Sequence, residues 1–146
     1  MSEKPVGKEN SPDASCIEPA DKRSGTIIIM DDEECVRDSL SDMLMCMGYD
    51  VIHMEEGGEV ISFLKEKHIG EEIISGIILD LVIPEGMGGK AAAEGIQKIN
   101  PGIPVFAISG YADDPAMVNP GEYGFTASLN KPFRMADLAD MLDKYL

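Results

Sequence analysis

From Gly25 onward, short apolar runs alternate with longer amphipathic stretches, and the two textures predict different elements. Thr26-Ile27-Ile28-Ile29-Met30 is β-branched and apolar without alternation, which predicts a strand covered on both faces. Gly76-Ile77-Ile78-Leu79 and Pro104-Val105-Phe106-Ala107-Ile108 repeat that pattern. Tyr49-Asp50-Val51-Ile52-His53 is half polar and is placed nearer an edge, and Ala127-Ser128-Leu129-Asn130 reads as an edge strand. The longer stretches have helical spacing. Glu33 to Met47 carries Val36, Leu40, Leu44 and Met47 three and four apart and stops at Gly48, a residue suited to the position after a helix end. Gly58 to Lys67 carries Val60, Phe63 and Leu64. Gly89 to Ile99 carries Ala92, Ala93, Ile96 and Ile99 before Pro101 ends it. Met135 to Leu146 carries Leu138, Met141, Leu142 and Tyr145. Asp114 to Tyr123 holds Pro115, Pro120 and Gly121, which predicts a short or broken helix.

Strands alternating with helices at this spacing imply repeated strand–helix–strand units. The expected class is therefore α/β, a doubly wound five-stranded parallel sheet with helices on both faces. Ligands of such sheets bind beyond the carboxyl ends of the strands, so the chemistry is sought just after each strand.

Composition narrows the picture. A chain of 146 residues is about one domain with a tail. Residues 1–24 are polar and aperiodic and read as a disordered N-terminal tail or linker, leaving 25–146 as the domain. That tail carries five acids and four bases, so nearly all of the net charge of −15 belongs to the domain. Such a charge repels polyanions and anionic lipid, which argues against direct binding to nucleic acid or a membrane. No apolar run approaches the roughly 18–20 residues that span a bilayer, and the N-terminus lacks the apolar centre of a secretory signal. Cys16, Cys35 and Cys46 are odd in number and not spaced for a metal. A cytoplasmic protein with reduced thiols is the expectation.

The strand ends supply the candidate chemistry. Asp31 and Asp32 follow the first strand, Asp80 the third, Ser109 the fourth and Lys131 the fifth. Three carboxylates on one rim repel each other and resist ionisation unless a cation joins them. A hard ion such as Mg²⁺, which takes a few carboxylates plus waters, would relieve that repulsion. A lysine beside them would bind phosphoryl oxygens, and an aspartate so held can attack phosphorus. Gly86, Gly88 and Gly89 are not followed by Gly-Lys-Ser/Thr, so they do not make a nucleotide loop. Two function classes fit: a phosphorylation-controlled signalling module, and a small Mg²⁺-dependent aspartyl-phosphate hydrolase. A hydrolase of that kind carries a second acid two residues after its nucleophile, where this chain has Val82.

Four segments, in order, carry a resemblance: Met30-Asp31-Asp32-Glu33, Leu79-Asp80-Leu81-Val82-Ile83-Pro84, Ile108-Ser109-Gly110-Tyr111 and Asn130-Lys131-Pro132-Phe133. They resemble a response-regulator receiver domain of two-component signalling over roughly Gly25 to Leu146. Gly86-Met87-Gly88-Gly89 and the run Ser109 to Pro115 are similar to receivers of hybrid sensor histidine kinases. The resemblance implies a flavodoxin-like, receiver-type fold and a phosphoacceptor in a phosphorelay. It implies that Asp80 takes the phosphoryl group from a histidine kinase or phosphotransfer protein. Asp31, Asp32 and Asp80 would hold Mg²⁺ together with the Val82 backbone carbonyl. Ser109 would turn toward the acyl phosphate, Lys131 would pair with its oxygens, and Pro132 would follow a cis peptide. No turnover is implied beyond the domain's own phosphorylation and dephosphorylation. The chain departs from the family at Ser128, where an aromatic residue is common.

Overall fold

Thr26–Met30 forms β1, and every one of its residues is buried, as its unbroken apolar run requires. The computed structural model describes residues 25–66 and 74–146. Around β1 lie β2 (Asp50–Met54), β3 (Ile74–Asp80), β4 (Val105–Ser109) and β5 (Ala127–Asn130), all pairing in parallel in the order β2-β1-β3-β4-β5. The half-polar β2 and β5 therefore take the edges, and the apolar runs take the centre.

Alternation along β1 sorts the core into two layers. Ile27 and Ile29 join Ile78, Phe106 and Ile108 on one face of the sheet. There they meet Leu40 and Leu44 of α1 (Glu34–Cys46) and Leu138, Met141 and Leu142 of α5 (Met135–Tyr145). Ile28 and Met30 face the other way with Ile77, Leu79, Val105 and Ala107. They pack on Val60 and Leu64 of α2 (Gly57–Glu66) and on Ala92, Ala93 and Ile96 of α3 (Gly89–Ile99). Burying a Leu or Ile side chain contributes about 1.5–3 kcal/mol, so both layers hold the strand ends in fixed register.

Between β4 and β5 the chain makes only one turn of helix, α4 (Pro115–Val118), and a 3₁₀ turn over Pro120–Tyr123. The prolines that predicted a broken helix sit at the first positions of these two turns, where a missing N–H is harmless. Ser128 on β5 ties this segment down: its Oγ donates to the Met117 carbonyl at 2.9 Å.

The expected elements differ from the observed ones mainly at their ends. β2 runs one residue later than expected, and β3 extends from Ile74 through Asp80, because neighbouring strands supply pairing beyond the apolar stretch. Ser109 likewise closes β4 rather than following it. Glu33 and Met47 flank α1 as cap residues, and α2 begins at Gly57. The expected tail over residues 1–24, together with Lys67 and His68, lies outside the described residues. His53 is exposed. Cys35 is a free thiol, as expected, but exposed rather than packed or half-exposed, whereas Cys46 is disulfide-bonded, against the expectation of reduced thiols. Among the described residues no helix is long and apolar enough to cross a membrane.

Candidate functional site

Parallel pairing brings the carboxyl ends of β1, β3, β4 and β5 to one rim, and the predicted residues meet there. Asp31 and Asp80 are almost fully buried, at 0% and 5% exposure, while Asp32 is open to solvent. Each of the three offers a carboxylate oxygen, and those oxygens all lie within 4.8 Å of one another. Lys131 Nζ reaches across, 2.9 Å from Asp31 Oδ2 and 3.0 Å from Asp80 Oδ2. Glu33 Oε1 is 4.0 Å from the same ammonium. Ser109 is buried, and its Oγ accepts the Tyr111 N–H at 3.0 Å. The Lys131–Pro132 peptide is cis, as expected. Asp32, Glu33, Val82, Ser109, Tyr111 and Lys131 line a cleft of about 270 Å³ over Asp80.

Backbone groups fix the carboxylates. Asp31 Oδ1 accepts the Glu33 N–H at 2.9 Å, and Asp80 Oδ1 accepts the Val82 N–H at 3.1 Å. The N–H of Asp31 itself donates to the Met54 carbonyl at 3.1 Å. Burial pushes the Asp80 carboxyl up to about 6; the Val82 N–H opposes the rise, the Asp31 charge adds to it, and Lys131 opposes it. For Lys131, burial would lower the pKa, but the hydrogen bonds and charges of Asp31 and Asp80 outweigh it and hold the ammonium above its ordinary value. The lysine is thus firmly charged, and the buried Asp80 carboxyl still carries a penalty for ionising. A divalent cation beside Asp80 would remove it.

The donor set fits a hard cation. Three carboxylate oxygens with an open, solvent-facing side match an ion that keeps several waters. Glycines complete the frame at the start of α3. A Cβ at Gly88 would stand 2.6 Å from the Leu81 carbonyl oxygen, and one at Gly89 2.8 Å from that of Asp80. These glycines let the start of α3 approach the Asp80 and Leu81 carbonyls closely. No neighbour lies within 4 Å of a Cβ built at Gly110, so the cleft is open on that side.

Two residues of this neighbourhood escape the sequence reading. Arg37 on α1 donates from Nη1 to the Asp31 carbonyl at 2.6 Å, with Nη2 3.9 Å from Glu55 Oε2. Glu56, just after β2, accepts from the Gly58 N–H at 2.8 Å and from the Met87 N–H at 3.2 Å. Nothing local marks the reach to Met87, 31 residues away.

The family model of the response regulator receiver domain matches residues 27–143. The chain belongs to that family. Among receiver relatives, it is 30% identical over 122 residues to the response regulator receiver protein CpdR of Brucella abortus, covering 82% of this chain and 95% of that one. It is 32% identical over 128 residues to the sensor kinase CckA of the same organism. That match covers 83% of this chain but 13% of the kinase, and the chain spans 44% of a probable transcriptional regulator of Porphyridium aerugineum. A CheY-like receiver from Methanospirillum hungatei superposes with a TM-score of 0.72 at 25% identity, over 84% of this chain and 93% of that one. The receiver of the sensor histidine kinase PA1611 of Pseudomonas aeruginosa, solved with magnesium in its active-site cleft, shares the fold. Its TM-score is 0.72 at 21% identity, over 84% of this chain and 98% of that one. The expected five-stranded, flavodoxin-like α/β receiver fold is the observed one.

Proposed function

We propose that residues 25–146 are the phosphoacceptor unit of a two-component phosphorelay, with Asp80 as the residue phosphorylated. The observation that carries this reading is the double contact of Lys131, which bridges Asp31 and Asp80 at the floor of an open cleft. In the reaction a carboxylate oxygen of Asp80 attacks phosphorus. The bond from phosphorus to the donor's imidazole nitrogen breaks, and its electron pair stays with the imidazole. Asp31 and Asp32, with Asp80 and the Val82 backbone carbonyl, would hold Mg²⁺. That ion would supply charge neutralisation on the phosphoryl oxygens. Lys131 pairs with the same developing charge, and its raised pKa keeps it protonated while it does so. Ser109 gives up its hold on the Tyr111 N–H to reach the new phosphoryl group, moving the segment that follows.

The donor is a phosphohistidine of a histidine kinase or phosphotransfer protein. Beside Lys131 an apolar groove of about 510 Å³, walled by Val36, Met43 and Phe133, offers such a partner a surface next to the acceptor. Val82 and Tyr111, 44% and 63% exposed, flank the approach of water. Neither orients a nucleophilic water, so the phosphorylated state is long-lived. The hydrolase alternative would need an acid where Val82 stands. No nucleic acid or membrane is engaged directly, and the site of action is the cytoplasm.

Incubation with acetyl phosphate and Mg²⁺, followed by intact mass, tests the reading. One phosphoryl group should be gained by the wild type and none by Asp80→Asn. A wild-type mass that does not change would remove the proposal.

A further inference from the structure

The edge strand β2 contributes none of the residues assigned to the cleft, yet its C-terminal turn touches both walls of it. On one side the Met54 carbonyl accepts the Asp31 N–H at 3.1 Å, and Glu55 faces the arginine that holds the Asp31 carbonyl. On the other side the turn and the loop after Asp80 exchange hydrogen bonds. Gly57 N–H donates to the Met87 carbonyl at 2.7 Å, and Met87 N–H donates to Glu56 Oε1 at 3.2 Å. The two segments are also in close contact. A Cβ at Gly57 would lie 2.9 Å from Met87 Cγ, and one at Gly86 would lie 2.8 Å from Glu56 Cβ. The loop so clasped runs from Leu81 to Gly88 and carries Val82 and Pro84 on the cleft wall.

The geometry points to Glu56 as a positioning residue: by clasping Met87 it holds the loop after Asp80 at the distance from Asp31 and Asp32 that the cation requires. This rests on the phosphoacceptor reading, because the cleft matters only if it takes Mg²⁺. The clasp is charged. N–H groups of Gly58 and Met87 hold the Glu56 carboxyl below the usual carboxylate range. The Met87 N–H bond to Glu56 adds a second point of attachment, so the loop is anchored more firmly than by the Gly57 bond alone. Groups that orient metal ligands change affinity when removed, typically 10–100-fold for direct partners. Glu56 acts through a loop rather than on a ligand, so the expected effect is smaller.

Two variants separate the clasp from the helix start. Glu56→Asp is one carbon shorter: it keeps the local bond to Gly58 and withdraws from Met87. Glu56→Gln keeps the full reach. Calorimetric titration of the metal-free protein with Mg²⁺ should show Kd raised roughly threefold to tenfold in Glu56→Asp and restored to within about twofold in Glu56→Gln. Amide exchange at Met87 should quicken in Glu56→Asp only. A Glu56→Asp protein with faster Met87 exchange but wild-type Kd would overturn the positioning role. Unchanged exchange would overturn the clasp itself. A wild type that takes no Mg²⁺ would instead sink the phosphoacceptor reading on which the role rests.

Discussion

Asp80 sits where burial, one backbone N–H, a neighbouring acid and a lysine compete, and the balance leaves its carboxyl at about 6. With the folded-state pKa above that of the unfolded chain, the contribution to stability is fully present below the unfolded pKa. It is lost as pH rises through about 6. Asp80→Asn should therefore stabilise the metal-free protein at pH 7.5, by up to about 3 kcal/mol, the full worth of that displacement. The gain should shrink toward pH 4.5; urea unfolding at both pH values measures it. Mg²⁺ competes with the same proton, so the rise in Tm on adding Mg²⁺ should be larger at pH 7.5 than at pH 5. Equal rises at both would contradict ligation by Asp80. At position 82 the expectation concerns lifetime. Val82→Asn places an amide beside the approach of water and should speed loss of phosphate by roughly tenfold, less than the ~10²–10⁴ of a general base. Phosphate release followed over time gives the answer.

Helices and strands were readable from the sequence in proportion to how far local pattern decides them. The unalternating runs of β1, β3 and β4 announced buried central strands, and the prolines of 114–123 announced a truncated helix. The ends of β2 and β3 were not readable, since pairing with β1 sets them and pairing is non-local. Asp31, Asp32, Asp80, Ser109 and Lys131 could be found because strand ends in a parallel sheet converge by topology alone. Arg37 and Glu56 could not, since each acts on backbone groups that no side-chain pattern reveals. Ser128 shows what a departure from a family pattern means in structure. Its hydroxyl fastens β5 to the last turn of α4. Phosphorylation should shift the backbone after Ser109 without a rotamer change at Ser128. Structures with and without beryllofluoride would show it, and an unmoved 110–114 loop would refute it. Ser128→Ala should lower stability by about 1 kcal/mol, the typical net worth of one hydrogen bond.

Across the whole molecule, charges lie mostly at the surface, and among the described residues the two buried ones, Asp31 and Asp80, sit at the ends of the central strands β1 and β3. Lys131 links segments 51 and 100 positions away in sequence through its bonds to Asp80 and Asp31. Lys131→Met would leave two buried acids facing each other without a counter-charge. The metal-free protein should lose about 2–4 kcal/mol, somewhat below the 3–5 of a fully buried pair because the lysine is partly exposed. Mg²⁺ should restore part of the loss, read from urea midpoints with and without the ion. The order of the strands carries a further consequence. The acid pair belongs to the first strand and the ammonium follows the last, so the centre cannot exist in any partial fold. A nascent chain still missing its C-terminal edge would hold like charges together without the ammonium that pairs with them. The counter-charge of the centre is thus supplied only once the last strand is in place.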